Sequence, residues 1–161
     1  MITDGLLLLE SAQVLVRAAG TYVSTNTIDL SVNRDIGAGS VLKVMWNVEV
    51  AYAGGTSIQF QQILSAAANL SSPVVVDLGI VVPLANLVAG AIGVRYIPEL
   101  LDGPAGLTAP VTGVAGIGSV GLRYYGTQSV SLGTFSAGQH STRIVNDITD
   151  VKHYPSGWSI L

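Results

Sequence analysis

Val41-Leu42-Lys43-Val44-Met45-Trp46-Asn47-Val48-Glu49-Val50-Ala51-Tyr52 is the stretch whose reading decides the fold of this 161-residue chain. Leu42, Val44, Trp46, Val48, Val50 and Tyr52 share one face of an extended strand, and Lys43, Met45, Asn47, Glu49 and Ala51 take the other. Successive side chains of extended backbone point to opposite sides, so a period of two with one apolar face marks a half-buried strand. Ala53-Gly54-Gly55-Thr56 then supplies turn chemistry, and residues 57–63 resume the alternation with Ile58 and Phe60 inward and Gln59 and Gln61 outward. Together the two runs predict a β-hairpin with a four-residue loop.

The same reading extends outward along the chain. Residues 13–17, 26–32, 73–82, 92–97, 118–125, 128–132 and 142–148 are further strand candidates, most of them bounded by Gly, Pro, Asn or Ser. Residues 83–89 have room for a single helical turn, and 61–69 read as a strand running into a loop. Many short strands with little helix, in a chain of one domain's length, predict an all-β sandwich or barrel. The whole chain, residues 1–161, is expected to be a single domain with an N-terminal arm over 1–12 and a C-terminal tail over 150–161. The arm is apolar at Leu6–Leu9, and the tail carries Lys152, His153, Tyr154 and Trp158. Apolar ends are unfavourable in water, so each is expected to dock on its own fold or on another subunit.

Composition narrows the function. Charged residues are 11% of the chain, against about 25% in an ordinary soluble domain. Mean hydropathy is +0.55. A membrane helix does not account for this, because the long charge-free stretches are interrupted by Pro, Gly, Asn, Gln and Ser; residues 103–122 alone hold Pro104 and Pro110. The N-terminus lacks a basic region ahead of its short Leu run, so no export signal is read. The seven basic residues are scattered, with no cluster to neutralise a phosphate backbone, which argues against nucleic acid. Without cysteine there are neither disulfides nor thiolate metal sites. A surface largely covered by partners remains the better account of the missing charge.

Sites for chemistry are sparse. Gly116-Ile117-Gly118-Ser119-Val120-Gly121 spells a dinucleotide fingerprint, but Leu122-Arg123-Tyr124-Tyr125 after it form strand, not the helix that would hold a pyrophosphate. His140 beside Ser141 reads as a solvated loop histidine. Asp29, Asp35, Asp77 and Asp102 fall at strand ends or turns, where Asp bonds nearby backbone. No catalytic residue, metal ligand or cofactor site is expected, and the chain is read as structural, not as an enzyme. A carbohydrate-binding or adhesive module is the alternative: Trp46 reads as core, one ring of Tyr124-Tyr125 must face outward, and Trp158 is the one plausible free platform for a sugar.

Several stretches resemble the jelly-roll cement (decoration) proteins of tailed-bacteriophage capsids. They are Met1-Ile2-Thr3-Asp4 with Ala12-Gln13; residues 24–30, Ser-Thr-Asn-Thr-Ile-Asp-Leu; Arg34-Asp35-Ile36-Gly37-Ala38-Gly39; Gly121-Leu122-Arg123-Tyr124; and Ser136-Ala137-Gly138 before Asp147. The resemblance runs from the first residue to the tail. It implies a jelly-roll-like antiparallel β-sandwich that binds the outside of an HK97-like head and joins neighbouring major capsid protein subunits non-covalently. It implies a virion location on the outer capsid surface, and a homo-oligomer, with a homodimer preferred to a trimer. Shell or subunit contacts are expected from Asp4, Leu6, Leu7, Leu8 and Leu9 in the arm, Arg34 and Asp35 in a turn, and Lys152, Tyr154 and Trp158 in the tail. The charge-poor segment 100–119 departs from the family pattern.

Overall fold

The computed structural model describes residues 7–14, 16, 18–29, 42–97 and 122–145. They form two antiparallel sheets packed face to face, an all-β sandwich. One sheet has the order β1-β10-β4-β8, with β1 at Leu8–Val14, β10 at Phe135–Val145, β4 at Lys43–Gly54 and β8 at Ile92–Tyr96. The other has the order β2-β9-β5-β6, with β2 at Gly20–Val23, β9 at Tyr124–Leu132, β5 at Ser57–Ser65 and β6 at Val74–Asp77. Two short strands extend it: β3 (Ile28–Asp29) on β9, and β7 (Val81–Pro83) on β5. A 3-10 turn lies at Leu84–Asn86, inside the span where sequence allowed one.

The deciding stretch forms β4, and Val44, Trp46, Val48 and Tyr52 line the core against Ile58, Phe60 and Leu64 of β5 and Tyr125 of β9. Burying each such side chain stabilises the fold by about 1.5–3 kcal/mol. Val50 breaks the expected row and is exposed. Its register with β10 slips on both sides, since Val48 pairs with His140 but Val50 with Gln139. A bulge inserts extra residues on one strand and re-aims the side chains beyond it. Met45 keeps the face opposite the core, as expected, yet is buried.

The expected hairpin is corrected. β4 and β5 follow one another through Gly55-Thr56 but belong to different sheets and stack face to face. β9 and β10 make the return crossing beside them through Gly133-Thr134, and the Thr56 N–H donates to Leu132 O at 2.7 Å. A Cβ on Gly133 would lie 2.9 Å from Gly55 Cα, and one on Gly55 would lie 2.6 Å from the Phe135 ring. Only glycine lets the two corners stack this closely. Each strand's apolar face is therefore covered by its sequence neighbour, not merely extended by it.

Other boundaries also shift. The candidates at 118–125 and 128–132 are one strand from Tyr124, the 73–82 candidate splits into β6 and β7, and 142–148 joins the end of β10, described to Val145. Tyr125 is buried in the core while Tyr124 faces the other side beneath the Arg123 guanidinium, 5.2 Å from its ring centre.

Candidate functional site

A first polar construction lies between the sheets. Glu10 on β1, Tyr52 on β4, Ser129 on β9, and His140 and Thr142 on β10 converge there, with His140 and Thr142 wholly buried. His140 Nε2 is 2.8 Å from Glu10 Oε2 and 3.3 Å from Ser129 Oγ, and Nδ1 is 2.7 Å from the Tyr52 hydroxyl. The Thr142 hydroxyl donates to the same Glu10 oxygen at 2.9 Å. Burial first, and the Glu10 carboxyl second, push the Tyr52 phenol up from its ordinary value. It therefore keeps its proton and can donate to Nδ1, which leaves Nε2–H to donate to Glu10.

Ser, His and Glu in contact invite a hydrolase reading, but the geometry refuses it. In a nucleophilic triad the hydroxyl and the carboxylate take opposite ring nitrogens, whereas here both address Nε2. Every member is at most 7% exposed, so no substrate reaches the cluster. The arrangement is a brace that ties β1 to β10 and one sheet to the other. His140, read from sequence as a solvated loop residue, is the structure's main correction on this point: Gly138 and Ser141 beside it belong to a strand, not to a loop.

The second construction closes one side of the sandwich, where the edges β6 and β8 meet. Arg95 of β8 grips Asp77 of β6 with both ends of its guanidinium, Nε to Oδ2 at 3.0 Å and Nη2 to Oδ1 at 2.8 Å. Gln62, buried on β5, donates to Asp77 Oδ2 at 3.0 Å and to Tyr96 O at 2.9 Å, and accepts from the Tyr125 hydroxyl at 2.7 Å. The Arg95 hydrogen bond, the largest influence, holds the Asp77 carboxyl below its ordinary value against the opposing effect of burial. A carboxyl lowered by folding adds stability above its unfolded pKa and loses it as pH falls through the folded one. Asp77→Asn is therefore expected to flatten the loss of thermal stability on acidification below the unfolded Asp value of 3.8. Melting curves of both proteins across that range check this; parallel slopes would remove Asp77 from the account.

Beside the clasp lies an apolar cleft of about 200 Å³ between β7 and β8, lined by Trp46, Phe60, Ile80, Leu87, Ile92 and Gly93 among others. Gly93 opposes Trp46 across the β4–β8 pair, and a Cβ there would stand 3.2 Å from the indole Cε3. The missing side chain keeps the cleft open. Among the described residues no group of His, Cys, Asp and Glu could hold a metal ion, and no helix is long and apolar enough to cross a membrane.

Residues 9–144 match the family model Bbp16. The chain belongs to the Bbp16 family. No match is found among the curated proteins. The Bbp16 match begins at Leu9 inside β1 and ends at Ile144 inside β10, so the family model spans the paired first and last of the described strands and all that lies between.

In this Bbp16-family chain the expected contact residues part company. Leu8–Val14 is a strand of the sandwich, not a free arm. Leu9 is buried in the core, Leu7 packs against that core, and Leu8 is half-buried opposite Arg143. The side chain of Leu9 is thus spent on its own fold, and the arm expected to end at residue 12 gives way to strand at Leu8. Asp4, Leu6, Arg34, Asp35, Lys152, Tyr154 and Trp158 lie outside the described residues, as does the segment 100–119. Sequence reasoning missed Glu10 and Gln62, because a buried acid or amide is set by partners 130 and 63 residues away, beyond any local pattern.

Proposed function

We propose that this chain is a structural cement protein of a tailed-bacteriophage capsid, bound to the outer surface of the head, where it joins neighbouring major capsid protein subunits without covalent bonds. The observation that carries the reading is membership of the Bbp16 family over residues 9–144, a family whose name points to phage. The sequence stretches that resemble capsid cement proteins support it from either end of the chain.

The strand order supports a jelly roll. In β1-β10-β4-β8 facing β2-β9-β5-β6, β1 neighbours β10 and β2 neighbours β9, as when one long antiparallel ribbon is rolled into two sheets. Such a body is rigid, and rigidity suits a clamp. Individually modest contacts suffice when many copies act on one shell. The low charge of the chain accords with a surface covered by partners in the assembled particle. A homodimer remains the preferred free state, to be read from sedimentation velocity.

Co-sedimentation of the purified protein with mature and immature heads of its own phage tests the reading. Saturable binding at a fixed ratio to capsid subunits, stronger on mature heads and raising their melting temperature, is the expected result. Absence of binding to both forms would overturn it.

A further inference from the structure

Hydrogen bonds fix where the protons of the buried cluster lie. The Tyr52 phenol keeps its proton, and His140 Nδ1 accepts it at 2.7 Å. Nε2–H meets Glu10 Oε2 at 2.8 Å, and the Thr142 hydroxyl donates to the same oxygen. An imidazole held this way is neutral. A second proton on the ring belongs on Nδ1, where the Tyr52 hydrogen already points. Turning that hydrogen aside would leave the hydroxyl with no acceptor among the described residues. Glu10 offers no better place: Oε2 already meets two donors, and a proton on Oε1 would be a buried donor facing no partner.

The surroundings supply no other charge. β5 turns the Phe60 ring to the imidazole, edge-on at 5.1 Å between centres, and β9 turns the Ser129 hydroxyl to it. Along β10, Ser141 and Arg143 alternate with His140 and Thr142 and so face the other side of the sheet. Glu49 of β4 is on that other side too, bonded to the side chains of Ser141 and Gln139. Among the described residues Glu10 is thus the one charged side chain that meets His140.

Glu10 reaches the cluster on a strand held with visible compromises. β1 joins β10 across two register shifts. Ala12 has φ of +52°, a region that residues with a Cβ seldom occupy, and its N–H donates to the Ser141 hydroxyl. Asn26 secures the start of the strand, its N–H donating to Leu9 O and its side chain to Leu8 O. When β1 lifts, water reaches Glu10 and His140 and also gives the Tyr52 hydroxyl a new acceptor. The imidazole then charges as a free histidine does, near about pH 6.5. The closed state binds one proton fewer than the open one, so closure is favoured at high pH and lost as pH falls, about tenfold for each pH unit.

We propose that the Glu10–His140–Tyr52 cluster is a proton-sensitive latch on β1, closed while the imidazole is neutral and released when water and one proton reach it in mildly acid solution. This goes beyond the cement reading and does not rest on it.

Native-state hydrogen exchange between about pH 7.5 and 5 tests the latch, across the range in which an unperturbed imidazole gains its proton. Protection factors are compared, so that the intrinsic pH dependence of exchange cancels. Protection over Leu8–Val14 is expected to fall about tenfold per pH unit below about pH 6.5, while Ser57–Ser65 of β5 holds its own. Tyr52→Phe keeps the ring but frees Nδ1 to take a proton beside Glu10 in the closed state, so its β1 protection should be lower and nearly flat with pH. Nitrogen-15 spectra of the wild-type imidazole need no variant: the neutral Nε2–H form is expected for as long as β1 stays protected. An imidazolium signal with β1 protection intact would overturn the proposal, as would β1 protection that ignores pH. A fall shared equally by β5 would assign the proton to global unfolding, and an unchanged slope in a folded Tyr52→Phe would remove the phenol from the latch; either result sinks the idea as stated.

Discussion

His140→Leu is expected to lower the free energy of unfolding by about 3–5 kcal/mol, the usual cost of depriving a buried pair of one member. His140 holds Glu10 through one nitrogen and Tyr52 through the other. Its removal leaves the Glu10 carboxyl, 1% exposed, with the Thr142 hydroxyl on one oxygen and no partner on the other. The Tyr52 hydroxyl loses its partner as well, and an unsatisfied buried polar group costs about 1–3 kcal/mol. Since domains of this size are stable by only about 5–15 kcal/mol, the variant should sit close to unfolding. Replacing both members, Glu10→Leu with His140→Leu, should recover part of the loss, because an apolar pair requires no partner. Urea midpoints at neutral pH measure all three proteins. A single variant within about 1 kcal/mol of wild type would show that the cluster does not brace the sheets.

Gly138→Ala is expected to cost about 2–6 kcal/mol, combining backbone strain of about 1–3 with overpacking of about 1–3. Gly138 has φ of +137°, where residues with a Cβ rarely go, and that Cβ would be driven into the ring of Tyr52. The ring cannot yield cheaply. It packs edge-on against Phe135 at 5.3 Å between centres and carries the hydroxyl that meets His140. Gly93→Ala provides the contrast: its Cβ would approach Trp46 at 3.2 Å, from a backbone conformation that needs no glycine. A small change at Gly93 and a large fall in melting temperature at Gly138 are expected. Equal effects would mean that the Tyr52 ring repacks freely and that glycine does not set the register shift of β10 between Ala137 and Gln139.

The apolar alternation at Val44, Trp46 and Val48, answered by Ile58 and Phe60, determined by itself that these runs are strands and that these residues form the core. Period-two patterning is local, and burial of one face follows from it wherever the strand is placed. The scarcity of charge was equally legible, and so was the outward turn of one ring of Tyr124-Tyr125, though only the structure shows that it is Tyr124. Tertiary structure alone decided which strands pair. β4 and β5 look like a hairpin because sequence shows that the chain turns at Gly54-Gly55, but not whether the turn stays within a sheet or folds one sheet over the other. It also decided that Leu8–Val14 is a strand, since its partners on β10 lie more than a hundred residues away and its two register shifts blur the alternation. Val50 left the core for the same reason, its position being set by a bulge against β10. The polar brace and the apolar cleft beside Trp46 are legible only in three dimensions. A buried Glu10 is tolerable only because a distant His140 meets it, and Gly93 makes a cleft only because a neighbouring strand puts an indole opposite.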